Sequence, residues 1–255
     1  MSVAVEVAGA LARITVHRPD ARNAMTFAMY DAFLQACEGL DAHPDVRVVV
    51  IRGGGGTFIA GTDIREFLGV RTDDEALAYE RRIDTVVGRL ERMTKVTIAM
   101  IEGAATGGGF TIALACDLRY AASTARLGVP IARTLGNCLS MANYGRLLDA
   151  VGPGRARELL LTARLVSADE AATLGLVNAV LPPDHLERHV EETAAAISQH
   201  APLTIQVSKE AMRRIQERRR IADGDDLILR CYMSEDFREG ISAFLEKRPP
   251  AWKGR

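Results

Sequence analysis

The chain contains 255 residues, of which 48% are hydrophobic, and its 32 basic residues nearly balance its 33 acidic residues. This length accommodates one large or two small domains at roughly 150 residues per domain, and the apolar fraction is sufficient for a sizeable core. The formal net charge of −1 argues against nucleic acid or an anionic membrane as a partner, because both attract proteins with a basic surplus.

The cysteines and histidines give no sign of a disulfide framework or a metal site. The four cysteines, at positions 37, 116, 138 and 231, occur singly in apolar or helical stretches, which predicts reduced core thiols in a cytoplasmic protein. His185 and His189 are the one pair at helical spacing, and no motif of known metal sites surrounds them, so we expect no metal. The N-terminus lacks the basic segment and apolar run of a signal peptide, and no membrane span is predicted.

The first half of the chain alternates strands, glycine-rich loops and helices. In chain order the patterns predict a hairpin over 2–18, a helix over 25–40, a buried strand over 46–51, a charged helix over 73–93, a second buried strand over 96–101, an apolar helix over 110–116 and a third strand over 117–121. From about residue 139 the pattern is helical, apart from one short strand over 176–180. This order indicates an α/β protein with mainly parallel strands and helices appended at its C-terminal end.

Two glycine-rich loops follow the two buried strands, over 53–61 and 103–109. Neither contains the GxxxxGK[ST] lysine of a phosphate-binding loop or the spacing of a dinucleotide-binding GxGxxG motif. The chain also lacks the GxSxG elbow of α/β-hydrolases.

The same loops can supply backbone donors. Gly107-Gly108-Gly109 opens the apolar helix, so its first amides have no helical partner and no side chain covers them. The loop Ala60-Gly61-Thr62-Asp63 follows the neighbouring strand. Two such loops can direct two N–H groups at one oxygen, which describes an oxyanion hole. On spacing alone, two tight turns that use glycine for positive φ remain the alternative.

Several segments in order resemble signatures of the crotonase superfamily, the enoyl-CoA hydratase/isomerase family. They are HRPDARNAM over 17–25, FIAGTDI over 58–64, Gly103 with GGG over 107–109 ahead of ALACD over 113–117, LTAR over 161–164, ADEA over 168–171 with GLV over 175–177, and the segment 239–249 with FLEKRP at its end. The resemblance covers essentially the whole chain.

The resemblance implies an α/β crotonase (ClpP/crotonase-like) fold of repeated β-β-α units with a helical C-terminal region. We therefore expect a core domain over 1–195 and a C-terminal helical region over 196–255 that serves oligomerisation and active-site closure. It further implies an acyl-CoA substrate, no cofactor besides this coenzyme A thioester, and a homotrimer or a dimer of trimers.

Site residues follow by position from the same resemblance. The amides of Thr62 and Gly108 correspond to the pair that polarises the thioester carbonyl. The substrate-binding positions are Ala21 and Arg22 in the first motif, Ala60, Asp63 and Ile64 in the second, Asn137 in the loop beside the acyl pocket, and Lys247 near the C-terminus.

The chain departs from the family where its hydratases carry two glutamates. Those positions hold Thr111 and Ile131, and a slip of one or two residues at the second brings Ala132 or Arg133, neither of them an acid. We keep Thr111 as a candidate catalytic residue and interpret Cys138 as a buried thiol. The acids that could reach the pocket from elsewhere in the chain are Glu66, Asp73, Asp74 and Glu75, and all four are interpreted as solvated charges at helix ends.

The leading hypothesis is thus an enzyme of the hydratase/isomerase family with an intact oxyanion hole and an altered acid/base set. The alternatives are another enolate reaction, such as decarboxylation, hydrolysis or double-bond migration, and a non-catalytic acyl-CoA binder. A ClpP-like serine peptidase shares the architecture, but no serine and histidine lie where these loops would bring them together.

Overall fold

The computed structural model describes residues 2–219 and 223–255. The predicted hairpin is confirmed: β1 (Ser2–Ala8) pairs antiparallel with β2 (Leu11–His17). The turn between them uses Gly9, whose φ of 60° is left-handed and suits glycine.

Four further strands extend this hairpin into a six-stranded sheet, all parallel to β2. They are β3 (Val48–Gly53), β4 (Val96–Ile101), β6 (Leu118–Ala122) and β9 (Ala179–Leu181). The strand order is β1-β2-β3-β4-β6-β9. The predicted parallel pairing is therefore confirmed. The last strand begins three residues later than expected: Leu176 and Val177 are buried, as in a strand, but lie in the segment before it.

Helices cover both faces of the sheet, which explains why its central strands are apolar on both sides. Val49 and Ile51 of β3 face one core with residues of α1 (Phe27–Ala42) and α2 (Asp73–Glu91). Val48 and Val50 face a second core with Leu186, Val190 and Ala194 of α7 (Pro183–Ser198).

A second sheet of three very short strands lies beside the first, and the sequence analysis missed it. It consists of β5 (Ala104–Thr106), β7 (Arg126–Gly128) and β8 (Val166–Ser167), with β7 in the centre. Strands of two or three residues are too short to show alternation. This sheet matters for the site because β5 leads directly into the GGG segment.

The remaining helices lie mainly in the second half of the chain, as predicted. They are α3 (Gly108–Ala115), α4 (Ile131–Thr134), α5 (Met141–Thr162), α6 (Ala168–Thr173), α8 (Pro202–Glu217), α9 (Asp225–Tyr232) and α10 (Glu235–Leu245). α5 is kinked at Gly152, where φ is 71°, directly before Pro153. No helix among the residues described is long and apolar enough to span a bilayer.

The last two helices fold back over the first half of the chain. The ring of Tyr232 on α9 lies 5.8 Å from that of Tyr79 on α2, and Phe237 of α10 lies 5.6 Å from Phe67 in the 3₁₀-helix Ile64–Gly69. This aromatic cluster places the C-terminal helices above the Thr62 loop. The division at residue 195 stays a prediction.

Candidate functional site

A single bridge between two strand ends aligns the two predicted loops. Ile59 pairs in parallel with Ala105: Ile59 N donates to Ala104 O and Thr106 N donates to Ile59 O, each at 3.1 Å. Three residues further along each segment come Thr62 and Gly108. The register of the bridge therefore brings these two residues side by side.

Close backbone contact between the loops explains two of the glycines. A Cβ on Gly109 would lie 2.0 Å from Ile59 O, so no other residue fits there without moving the backbone. Gly61 has a φ of 100°, and a Cβ on it would lie 3.2 Å from Thr106 O and 3.8 Å from Gly108 N. The glycines therefore allow the two loops to touch.

The backbone amides of Thr62 and Gly108 take no part in the backbone hydrogen bonds around them. Met25 N donates to Gly61 O, Asp63 N to Met25 O and Gly107 N to Gly128 O. In the described parts of the chain, neither Thr62 N nor Gly108 N has a backbone acceptor. Gly108 is the first residue of α3, where an amide has no helical partner and the helix dipole favours negative charge.

A chain of three hydroxyls lies beside these amides. Thr62 Oγ1 is hydrogen-bonded to Tyr30 OH at 3.0 Å and to Tyr79 OH at 2.9 Å, and all three side chains are buried. Burial raises the pKa of Tyr30 to about 12 and that of Tyr79 well above its usual value, so both phenols remain protonated. The sequence analysis missed both tyrosines, although each lies on the apolar face of its helix.

Thr111 lies one helical turn beyond Gly108, and its hydroxyl is already engaged. Thr111 Oγ1 donates to Gly108 O at 2.8 Å, and the side chain is buried. Its contact thus supports the first turn of α3. The catalytic role of Thr111 stays a prediction.

A buried asparagine fixes the turn that contains Ala21 and Arg22. Asn23, with a φ of 58°, donates from Nδ2 to Gly54 O, Thr57 O and Phe58 O, and its Oδ1 accepts from Arg18 N at 2.7 Å. Arg22 O accepts from Ala60 N at 3.2 Å. The structure therefore joins the turn of Ala21 and Arg22 to the loop that begins at Ala60.

Asp63 connects the same loop to two arginines. Its carboxylate accepts from Arg18 at 2.7 Å and from Arg65 at 3.0 Å. Partial burial works against ionisation of Asp63, but hydrogen bonds from Arg65 and Arg18 lower its pKa to about 2. Asp63 also caps the helix that starts at Ile64, so its role here is to shape the loop.

Asn137 belongs to a separate buried polar group. Its Nδ2 donates to Tyr232 OH at 3.1 Å, and Tyr232 OH donates to Glu80 Oε1 at 2.5 Å. Cys138, the next residue, is a buried thiol as expected, and hydrogen bonding with Cys231 raises its pKa. The structure places Asn137 next to the aromatic cluster rather than among the residues of the Ala60 loop.

Lys247 and the acids at the start of α2 lie at the surface. Lys247 follows α10 with an exposed side chain, and within the described residues no hydrogen bond joins it to the Thr62 loop. Asp73, Asp74 and Glu75 form the exposed first turn of α2, where Glu75 completes a capping box with Thr72. Their interpretation as helix-end charges is confirmed, and Glu66 is half-buried in the 3₁₀-helix.

The acid that sequence reasoning missed is Glu80. It is only 4% exposed, and burial raises its pKa to about 8, although the Tyr232 hydroxyl acts in the opposite direction. The sequence contains a signal for the burial of Glu80. Its position falls within the apolar stripe of α2, which Ala76, Tyr79, Ile83 and Leu90 form. In the described residues, no cluster of three or more potential metal ligands occurs.

Comparison with known proteins places the whole chain in one family. The profile of the enoyl-CoA hydratase/isomerase family matches residues 6–255. The chain is 36% identical to crotonyl-CoA hydratase of Syntrophomonas wolfei over 243 residues, which cover 93% of this chain and 92% of the relative. It is 34% identical to 2,3-dehydroadipyl-CoA hydratase of Escherichia coli K12 over 245 residues, covering 95% and 94%.

Solved structures agree with this result. A methylmalonyl-CoA decarboxylase in complex with 2-nitronate-propionyl-CoA superposes with a TM-score of 0.90 at 31% identity, covering 100% of this chain and 99% of that one. An enoyl-CoA hydratase/carnithine racemase from Magnetospirillum magneticum gives a TM-score of 0.82 at 31% identity, covering 100% and 96%. These neighbours confirm the predicted crotonase fold. The chain belongs to the enoyl-CoA hydratase/isomerase family.

Proposed function

We propose that this protein binds an acyl-CoA thioester and stabilises its enolate between the amides of Thr62 and Gly108. The observation that carries the proposal is the juxtaposition of these two residues by the Ile59–Ala105 bridge. Two fixed donors beside one oxygen stabilise charge that develops on that oxygen, and loss of one such donor costs about 3 to 4 kcal/mol in measured cases. The dipole of α3 adds to the effect at Gly108.

The residues at the two usual acid/base positions favour enolate reactions other than the addition of water. Addition of water needs one group to activate the water and another to deliver a proton to carbon. Position 111 is a threonine whose hydroxyl donates to Gly108 O, and Ile131 is apolar. We therefore expect slow hydration of crotonyl-CoA, despite the hydratase names of the relatives.

Decarboxylation of a malonyl-type thioester is the second candidate. Loss of carbon dioxide leaves its electron pair on the α-carbon, so the enolate forms without a general base. The chain's TM-score of 0.90 with methylmalonyl-CoA decarboxylase supports this candidate. In this reaction the protein stabilises the enolate and then supplies one proton.

The coenzyme A portion is proposed to lie along the joined loops of Ala21, Arg22, Ala60 and Ile64, with Lys247 reaching a phosphate and Asn137 beside the acyl group. Asp63 forms ion pairs with Arg18 and Arg65. These arginines offset its negative charge, so Asp63 would repel an anionic ligand less. The coenzyme A of the substrate is the only cofactor that this reaction uses. We also propose a homotrimer or a dimer of trimers, which sedimentation velocity tests directly.

Exchange of the α-protons of a saturated acyl-CoA in deuterated buffer tests the function. We expect the wild-type protein to catalyse this exchange and to hydrate crotonyl-CoA far more slowly than an ordinary hydratase. A series of malonyl-type, 3-enoyl and 3-ketoacyl thioesters then separates decarboxylation, double-bond migration and hydrolysis.

Thr111→Val is the matched variant in the same helix turn, because it removes one hydroxyl and leaves both amides in place. If Thr111 serves only α3, exchange persists in this variant, whereas a catalytic Thr111 predicts its loss. Tight acyl-CoA binding in the wild type, with neither exchange nor turnover of any thioester in this series, would identify a non-catalytic binder and contradict the proposal.

A further inference from the structure

Two cysteines from distant parts of the chain lie in contact. Cys138 follows α4, Cys231 lies in the last turn of α9, and their thiols are within hydrogen-bonding range of each other. The adjacent residues are joined as well, because Asn137 Nδ2 donates to Tyr232 OH at 3.1 Å. Cys138 Sγ also lies 3.7 Å from Leu227 O, one helical turn before Cys231. Consecutive residues of the two segments therefore face each other.

The two thiols of this pair differ in exposure and in acidity. Cys138 is only 7% exposed, whereas Cys231 is half-buried. A hydrogen bond with the Cys138 thiol and the positive charge of Arg230 lower the pKa of Cys231 to about 7, although burial acts in the opposite direction. The same hydrogen bond, together with burial, raises the pKa of Cys138. Near neutral pH, Cys231 therefore supplies a thiolate and Cys138 a neutral thiol beside it.

A cavity gives small molecules access to Cys231. It has a volume of about 500 Å³ and is lined by Cys231, Arg230, Gly136 and Trp252, among others. The side chains of Arg230 and Trp252 are exposed, so the cavity is in contact with solvent. A small peroxide is little larger than a water molecule, which occupies roughly 30 Å³ in the liquid, and it fits this space.

The other two cysteines lack these properties. Cys37 and Cys116 are buried, and burial raises the pKa of Cys37 to about 12 and also raises the pKa of Cys116. Cys116 Sγ donates to Ile112 O at 3.4 Å. The thiolate is the reactive form of cysteine, so thiols of this kind are inert.

We propose that Cys231 and Cys138 form a peroxide-sensitive site, at which a hydroperoxide oxidises Cys231 and Cys138 then closes a disulfide with it. Thiols already in contact need only a small movement to form an S–S bond of about 2.0 Å. The disulfide would tie the loop 135–140 to α9, whose Tyr232 ring packs against Tyr79. This inference goes beyond the proposed function and does not depend on acyl-CoA turnover.

The oxidation is balanced in two steps. The Cys231 thiolate attacks the terminal oxygen of the hydroperoxide: an S–O bond forms, the O–O bond breaks, and the leaving alkoxide takes a proton from solvent to become an alcohol. Cys231 is then a sulfenic acid. The Cys138 sulfur attacks the Cys231 sulfur, so that an S–S bond forms, the S–O bond breaks and hydroxide leaves as water with the Cys138 proton. Two thiols are oxidised, and one peroxide is reduced.

Mild oxidation of the whole, fully reduced protein with hydrogen peroxide tests the site. We expect two of the four thiols to be lost and to return on treatment with dithiothreitol. Trypsin cleavage at arginine releases each reactive thiol alone in its own peptide, 134–146 and 231–238. Mass spectrometry should find these two peptides joined, and a non-reducing gel should show no linkage between chains.

Three alanine variants separate the roles of the thiols. Cys231→Ala should slow thiol oxidation more than about tenfold, because it removes the thiolate. Cys138→Ala should stop at a sulfenic acid on Cys231, which dimedone traps. Cys37→Ala is the matched control, because it removes a buried thiol outside the pair and should be oxidised like the wild type.

The wild-type protein alone can overturn the inference, so no variant needs to fold for the test to decide. Oxidation without joined peptides 134–146 and 231–238, or with a stable sulfenic acid in place of the disulfide, would contradict it. Equal oxidation rates of Cys231→Ala and the wild type would do the same. Each of these results would leave the proposed function intact.

Discussion

The hydroxyl of Tyr30 lies 3.0 Å from the hydroxyl of Thr62, and a Cβ on Gly108 would lie 2.4 Å from the same Tyr30 oxygen. With Tyr79, the three hydroxyls carry three protons but form two mutual hydrogen bonds. One of these protons is therefore free for a hydrogen bond to a fourth group, from Tyr30, Tyr79 or Thr62. The hydroxyl chain thus has a spare donor next to the two amides.

Thr62→Val should destabilise the protein without removing the Thr62 amide. The isosteric side chain deprives two buried phenols of their partner, and we expect a loss of about 2 kcal/mol in the free energy of unfolding. Thr62→Ser keeps the hydroxyl and should lose about 1 kcal/mol through the missing methyl group. Urea unfolding measures both; equal stability of Thr62→Val and wild type would show that the hydroxyl chain contributes nothing.

Gly108→Ala should reduce both stability and α-proton exchange, because the new Cβ would collide with the Tyr30 hydroxyl at 2.4 Å. Removing that oxygen relieves the collision, since the next nearest atoms lie 3.6 Å and 3.7 Å away.

The double variant Tyr30→Phe/Gly108→Ala should therefore be more stable than Gly108→Ala alone, although Tyr30→Phe alone destabilises the wild type. A thermodynamic cycle of the four proteins measures this coupling. Additive effects would contradict the described contact between Gly108 and Tyr30.

Asn23→Ala should cost about 3 kcal/mol of stability, because it leaves buried carbonyls and an amide without partners. It should also weaken acyl-CoA binding, since Asn23 holds the turn that contacts the Ala60 loop. Arg22→Ala, at the adjacent left-handed and exposed position, should change stability by less than about 0.5 kcal/mol. Similar losses in the two variants would contradict a specific role for the Asn23 hydrogen bonds.

Stability should fall with pH over a range set by Glu80. Its pKa is about 8 in the folded protein against 4.5 for an ordinary glutamate, so the folded state holds an extra proton between these values. The contribution is complete below pH 4.5, declines as the pH rises and is lost above about 8. Relative to Glu80→Gln, the wild type should lose about 4 kcal/mol between about pH 5 and about pH 8. Parallel pH dependence of the two proteins would contradict a buried neutral carboxyl.

Much of the fold follows from local pattern, because β3 and β4 are apolar on both faces and α2 has a clear stripe. The three-stranded second sheet does not, since β5, β7 and β8 contain two or three residues each and depend on tertiary contacts. That sheet nevertheless sets the register of Thr62 against Gly108. The pair itself could be named only because the family resemblance supplied it.

The buried polar group of Glu80, Tyr232 and Asn137 depends on contacts between distant segments. Glu80 and Tyr232 are 152 residues apart, and Asn137 and Tyr232 are 95 apart. The family pattern draws attention to positions 111 and 131, whereas the glutamate within the apolar stripe of α2 lies outside every motif. The stripe marks this face of α2 as buried, but the partner that covers Glu80 there, Tyr232 of α9, follows only from tertiary packing.

Infrared spectroscopy of a bound acyl-CoA labelled with ¹³C at the thioester carbonyl tests the central claim most directly. If Thr62 N–H and Gly108 N–H both donate to that oxygen, the carbonyl stretch shifts to lower frequency on binding. The shift should persist in Thr62→Val, which keeps the amide, and shrink in Gly108→Ala. A bound thioester with the carbonyl frequency of free acyl-CoA in water would contradict the account.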